Sequence, residues 1–108
     1  MVVVAPYQKI YISNIQETMN IKKGFVLREV CGENVIVGEG LEAVNFGRLL
    51  ALNETAAWLW KQALAMGDFT IDALTEKLCE EYDVTNEVAQ KDVSAIVGQW
   101  QKEGVVTE

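Results

Sequence analysis

Apolar positions along this chain change rhythm at Asn53. Before it they cluster in short runs of strand length, and after it they recur three and four residues apart. The first clear run is Phe25-Val26-Leu27-Arg28-Glu29-Val30, bounded by Gly24 and by Cys31-Gly32-Glu33-Asn34. The second is Val35-Ile36-Val37, closed by Gly38. The short link between them contains Gly and Asn and predicts an antiparallel hairpin. From Gly38 to Gly47 the pattern loosens, with Val44 and Phe46 placed to reach back to a core. Residues 48–52 form a third predicted strand. No long crossover separates these strands, so the sheet reads as a small antiparallel meander.

The first predicted helix covers residues 54–66. Asn53 can accept a bond from an orphan N–H of its first turn, and Glu54 places a negative charge at the positive end of the dipole. Ala56, Leu59, Trp60, Ala63 and Leu64 share one side. Trp58 lies off that stripe and is assigned to the sheet edge. Gly67 ends the helix. Thr70 caps the second helix, with Phe69 before it as a hydrophobic staple. Ile71, Leu74, Leu78 and Tyr82 make its apolar face, with Cys79 beside them, while Thr75, Glu76, Glu80 and Glu81 are assigned to water. Thr85 caps a third helix over residues 86–102, whose stripe is Ala89, Val93, Ile96, Val97 and Trp100. Gly104 follows its end, and Val105-Val106 is expected to dock as a last half-strand. The short link between helices two and three suits a helix-turn-helix corner. The fold class is therefore α+β, winged helix-turn-helix-like: a three-stranded antiparallel sheet followed by three helices.

Residues 1–20 break this pattern. Pro6 interrupts the first apolar run, and Asn14, Gln16 and Asn20 dilute the strand-like Lys9-Ile10-Tyr11-Ile12. They read as a flexible tail, the other reading being one added strand. Met19, next to the first well-patterned stretch, is read as a natural start. Residues 21–106 are then the domain.

Composition narrows the function classes. A chain of 108 residues is one domain, and with half its residues hydrophobic it is not intrinsically disordered. Nine Lys and Arg against 16 Asp and Glu leave a net charge of −7, which disfavours phosphate backbones and anionic lipid. Lys22-Lys23 is the only basic cluster. Two Cys and no His argue against a zinc site or a Cys–His nucleophile. Cys31 and Cys79 read as reduced thiols, a disulfide between them staying open at this stage. No apolar run approaches the roughly 20 residues of a membrane span, and the N-terminus lacks the basic region of a signal peptide. The expected location is cytoplasmic.

No catalytic, cofactor or metal constellation emerges. Glu76, Glu80 and Glu81 read as solvated helix surface. Gly38-x-Gly40 lacks the Lys and helix start of a phosphate loop. Ser13 and Ser94 have no base to activate them. The chain reads as a non-enzyme without cofactor. A nucleic-acid role is disfavoured, because the third helix carries Glu87, Lys91, Asp92, Lys102 and Glu103, leaving Gln90, Gln99 and Gln101 to read bases. Peptide binding fits better. A third strand at the sheet edge would offer unpaired N–H and C=O groups to an extended guest. Val93, Ile96, Val97 and Trp100 would floor the adjacent groove, the competing assignment being plain core. Ala95 and Gly98 are small enough to let a peptide approach.

Four pieces of the chain resemble the pyrroloquinoline quinone biosynthesis protein D (PqqD) family. They are the strand pair at 25–30 and 34–37, Leu52-Asn53-Glu54-Thr55-Ala56 leading to Leu59-Trp60, Phe69-Thr70-Ile71-Asp72-Ala73-Leu74 running to Glu81-Tyr82-Asp83-Val84, and Asp92-Val93 with Trp100 and Gly104-Val105-Val106. The resemblance covers residues 21–106, and residues 1–18 have no counterpart. It implies a discrete element that binds the leader of a ribosomally made precursor peptide and presents it to a modifying enzyme, often a radical S-adenosylmethionine (radical SAM) enzyme. In that family the leader adds as a strand beside the third strand and packs against the third helix. Carried over, this points to Arg48, Leu49, Leu50 and Ala51 on the strand, and to Val93, Ile96, Val97 and Trp100 on the helix. An acidic chain would favour a leader with basic residues. An open strand edge is compatible with a monomer or a weak dimer. A protein–protein adaptor and a nucleic-acid-binding winged helix are the alternative functions.

Overall fold

The computed structural model describes residues 18–39, 47 and 49–107. Its elements are β1 (Asn20–Ile21), β2 (Phe25–Val30), β3 (Glu33–Gly38), β4 (Leu50–Leu52), α1 (Glu54–Met66), α2 (Ile71–Glu81), α3 (Asn86–Glu103) and β5 (Val106–Thr107). β2, β3 and β4 form an antiparallel sheet in that order, and β1 pairs antiparallel with β5 in a separate ribbon. The expected α+β architecture, with its three-stranded meander and three helices, is what folds.

β2 and β3 pair from Phe25↔Gly38 to Val30↔Glu33, leaving Cys31-Gly32 as a two-residue turn. Both turn residues have positive φ, 54° and 81°. That is the type I′ pattern, whose twist matches the flanking strands. Left-handed backbone costs a residue with a Cβ about 1–2 kcal/mol, and Asn, which bonds locally, suffers least. Cys31→Asn should therefore stabilise the domain by roughly 0.5–1 kcal/mol, read as a higher urea midpoint. An unchanged midpoint would show that the turn is unstrained in solution.

One residue joins sheet to helix. Asn53 is extended, and its side-chain oxygen accepts the Ala56 N–H at 2.8 Å, so β4 runs straight into α1. Thr70 and Thr85 cap α2 and α3 in the same way, at 3.0 and 3.2 Å. Gly104 ends α3 at φ 81°, ψ 23°, and the Trp100 carbonyl accepts both the Gly104 and Val105 N–H groups. This left-handed cap reverses the chain. Val105 returns to the core and β5 reaches β1.

The expected tail boundary is too late. Met19 is buried and exchanges two backbone bonds of 2.8 Å with Phe69. Asn20 pairs with Thr107, its amide donates to Asp68 at 2.6 Å, and the Lys22 N–H donates to the Val105 carbonyl. The fold thus includes Met19, which pairs with Phe69, and Asn20, which gives the C-terminal half-strand a partner for its backbone groups. Lys9, Ile10, Tyr11 and Ile12 lie outside the described residues, as do Val44, Phe46 and Arg48.

Trp60, Trp100, Phe69, Ile36, Leu59, Leu74, Val93, Val97 and Val105 fill the centre. Trp60 and Trp100 meet edge to face, with centroids 5.2 Å apart at 84°, and Phe69 stands against Trp100 in the same manner. Several positions depart from the periodic expectation. Leu64 is 58% exposed, since it falls late in α1 at the margin of the buried stripe. Thr75 is buried rather than solvated, and its hydroxyl donates to the Ile71 carbonyl at 2.7 Å. That local bond removes the cost of burying it. Tyr82 caps α2 instead of lining its inner face.

Candidate functional site

β4 pairs residues 50–52 with residues 36–34 of β3, and Asn53 then turns the chain into α1. The expected strand began at Arg48. Leu49 instead stands outside the ladder and is 59% exposed. Alternation then divides the strand. Leu50 and Leu52 are half-buried and rest on the core, while Ala51 between them is exposed. Among the described residues β4 has β3 on one side and no strand on the other.

The two margins of the sheet differ in chemistry. The outer strand β2 carries exposed Arg28 and Glu29, and Arg28 makes two bonds of 2.9 Å to the carboxylate of Glu39. Charge is a common guard of a strand edge. Residues 49–52 hold no charge and no proline. Among the described residues, β4 has no guard of this kind beyond its shortness.

On α3 the structure separates the expected contacts. Val93 and Val97 are wholly buried and Trp100 is 1% exposed. They are core rather than groove floor, because they sit at the centre of the stripe that Trp60 and Phe69 cover. Ile96 is half-buried and packs on the same cluster as Leu50 and Leu52. It is the one expected helix residue with surface to offer. Gly98 has open space where a Cβ would stand. At 100° per residue it lies about 200° round the helix from Ile96, so the two cannot face one guest.

Trp58, assigned to the sheet edge, stacks edge to face on Tyr82 instead, at 5.5 Å and 80°. Its position off the α1 stripe is the signal in the sequence that it serves another contact. Lys22 and Lys23 line a shallow cavity of about 440 Å³ with Asn20, Ile21 and Thr107, beside the β1–β5 ribbon. Cys31 is exposed, Cys79 is half-buried, and both are free thiols. Among the described residues no group of His, Cys, Asp or Glu is placed to hold a metal ion, and no helix is long and apolar enough to cross a membrane.

The family model described as "Coenzyme PQQ synthesis protein D (PqqD)" matches residues 20–106. No curated protein matches the chain. Three solved structures share the fold. A lasso peptide synthetase B1 complexed with the leader peptide has a TM-score of 0.65 at 19% identity, covering 83% of this chain and 98% of that one. TbiB1 in complex with the TbiA(beta) leader peptide has a TM-score of 0.65 at 14% identity, covering 81% and 93%. The PqqD truncation of Methylobacterium extorquens PqqCD, described as a stand-alone recognition element for ribosomally synthesised and post-translationally modified peptides, has a TM-score of 0.63 at 17% identity, covering 84% and 89%. At these identities the likeness is one of fold.

Proposed function

This chain belongs to the PqqD family, and from that premise we propose that it is a non-catalytic recognition element for the leader of a ribosomally made precursor peptide. The observation that carries the reading is the outer margin of β4, which no other strand covers among the described residues. An extended guest laid there would complete the ladder with its own backbone groups. Two similar folds hold leader peptides in their solved structures, which supports the same use here.

Strand geometry sets the guest's pattern. Its side chains alternate between faces. Those on the core side would meet Leu50, Leu52 and Ile96, and are expected to be apolar. Those on the other side would stand beside Ala51 and reach water. Arg48 and Leu49 would meet the guest where it enters. Val93, Val97 and Trp100 would act from beneath, holding α3 in place without touching it. The held peptide would be presented to a modifying enzyme, for which a radical SAM enzyme is the proposed partner. The net charge of −7 favours a leader with Lys or Arg. The proposed setting is the cytoplasm, where thiols such as Cys31 and Cys79 stay reduced, and no cofactor is part of the proposal.

Titration of the ¹⁵N-labelled domain with its cognate precursor tests the site. Amide shifts should concentrate at residues 49–52 and around Ile96. Binding with shifts confined to β1, β5 or the α2–α3 corner would overturn the assignment.

A further inference from the structure

The corner between α2 and α3 carries an apolar patch that the fold leaves open. Tyr82, Val84 and Val88 are 43%, 37% and 49% exposed, within one stretch of seven residues. The patch is held in shape from below and within. Tyr82 stands edge-on to Trp58, the Val84 N–H donates to the Tyr82 carbonyl at 2.9 Å, and Thr85 accepts the Val88 N–H. A shallow cavity of about 340 Å³ opens beside it, lined by Glu87, Val88 and Lys91.

Acidic residues outnumber basic ones around the patch, where Lys91 lines the cavity on the α3 side. Glu80, Glu81, Asp83 and Glu87 are all exposed, and no basic residue stands between Lys77 and Lys91. None of these four carboxylates has an ion-pair partner among the described residues. Glu80 and Glu81 also sit at the negative end of the α2 dipole, in a last turn that has no basic residue. Cations belong at that position, and the last turn of α2 supplies none.

We infer that this corner is a docking surface for a partner protein that presents an apolar side chain flanked by Lys or Arg. The apolar side chain seats on Val84 and Val88 against the Tyr82 ring. The flanking cations meet Glu80, Glu81 and Asp83 and complete the end of α2. No sheet hydrogen bonds are involved, so the surface is separate in its chemistry from the β4 margin. It stands or falls independently of the guest-strand reading.

Random peptides displayed on phage and selected against the intact domain provide the test. The selected peptides should pair an apolar residue with flanking Lys or Arg. Val88→Ser should weaken a selected peptide about tenfold, the cost of one lost apolar contact. The Glu80→Lys, Glu81→Lys double variant should weaken it comparably at low salt, with the difference shrinking as salt screens it. All three side chains are exposed, so an unchanged amide spectrum confirms that each variant is folded. Failure to select any peptide, a selected pattern without basic residues, or binding that survives both variants would overturn the proposal. Peptides that survive both variants but lose affinity on N-methylation of alternate residues would instead mark the β4 margin.

Discussion

Trp60→Ala should cost this domain about 3–5 kcal/mol, the range for emptying a large aromatic site in a core. Trp60 is wholly buried and abuts Trp100, which in turn abuts Phe69. The three rings come from α1, α3 and the segment before α2, so one cavity loosens the contacts that join the helices. A domain of this size has about 5–15 kcal/mol in hand, and the variant should sit near its unfolding midpoint in mild urea. Trp60→Phe should behave differently. The indole N–H of Trp60 is buried without a hydrogen-bond partner. Removing an unpaired donor gives back its desolvation cost, roughly 1–3 kcal/mol, which offsets part of the lost volume. Urea denaturation should place the Phe variant much closer to the parent than to the Ala variant. Equal losses would mean that the edge-to-face ring of Trp100 already satisfies the N–H, as an aromatic face can.

The second large effect concerns the guest strand. N-methylation of a bound leader at every residue in turn should give a saw-tooth in affinity. In an antiparallel ladder, successive residues point their N–H groups alternately toward and away from the neighbouring strand. Blocking one that faces β4 removes a bond worth about 1 kcal/mol and adds a steric clash, so a loss of tenfold or more is expected. Blocking its neighbours should change little. Isothermal titration of the methylated set reads this directly, whichever backbone groups of residues 49–52 face outward. A flat profile would show that the leader binds by side chains alone and that the open margin is not its seat.

The helices were the most legible part of the chain. Asn53, Thr70 and Thr85 mark three starts, and in each the side chain bonds an N–H three residues on. Caps are local, so a local pattern finds them. Leu64, Thr75 and Tyr82 show where periodicity stops being enough. A stripe gives the direction a helix faces but not how far its neighbours extend, and all three lie at the margin of a face or at the end of α2. Asn20 and Ile21 carry too little pattern to announce a strand. They become one because Val106 and Thr107 arrive beside them from the far end of the chain.

The same division runs through the candidate site. Local pattern is enough to show that a run without charge or proline, residues 49–52, ends at a capped helix start, and that an apolar stripe runs along α3. Those are properties of neighbouring residues and of the 3.6 and 2.0 periods of helix and strand. Packing between distant segments is what leaves β4 with one partner among the described residues, encloses Val93, Val97 and Trp100, and leaves Ile96 half-buried. Burial depends on which distant segments pack against a face. No local pattern contains that, because the energy comes from water excluded between parts of the chain that meet only when it folds.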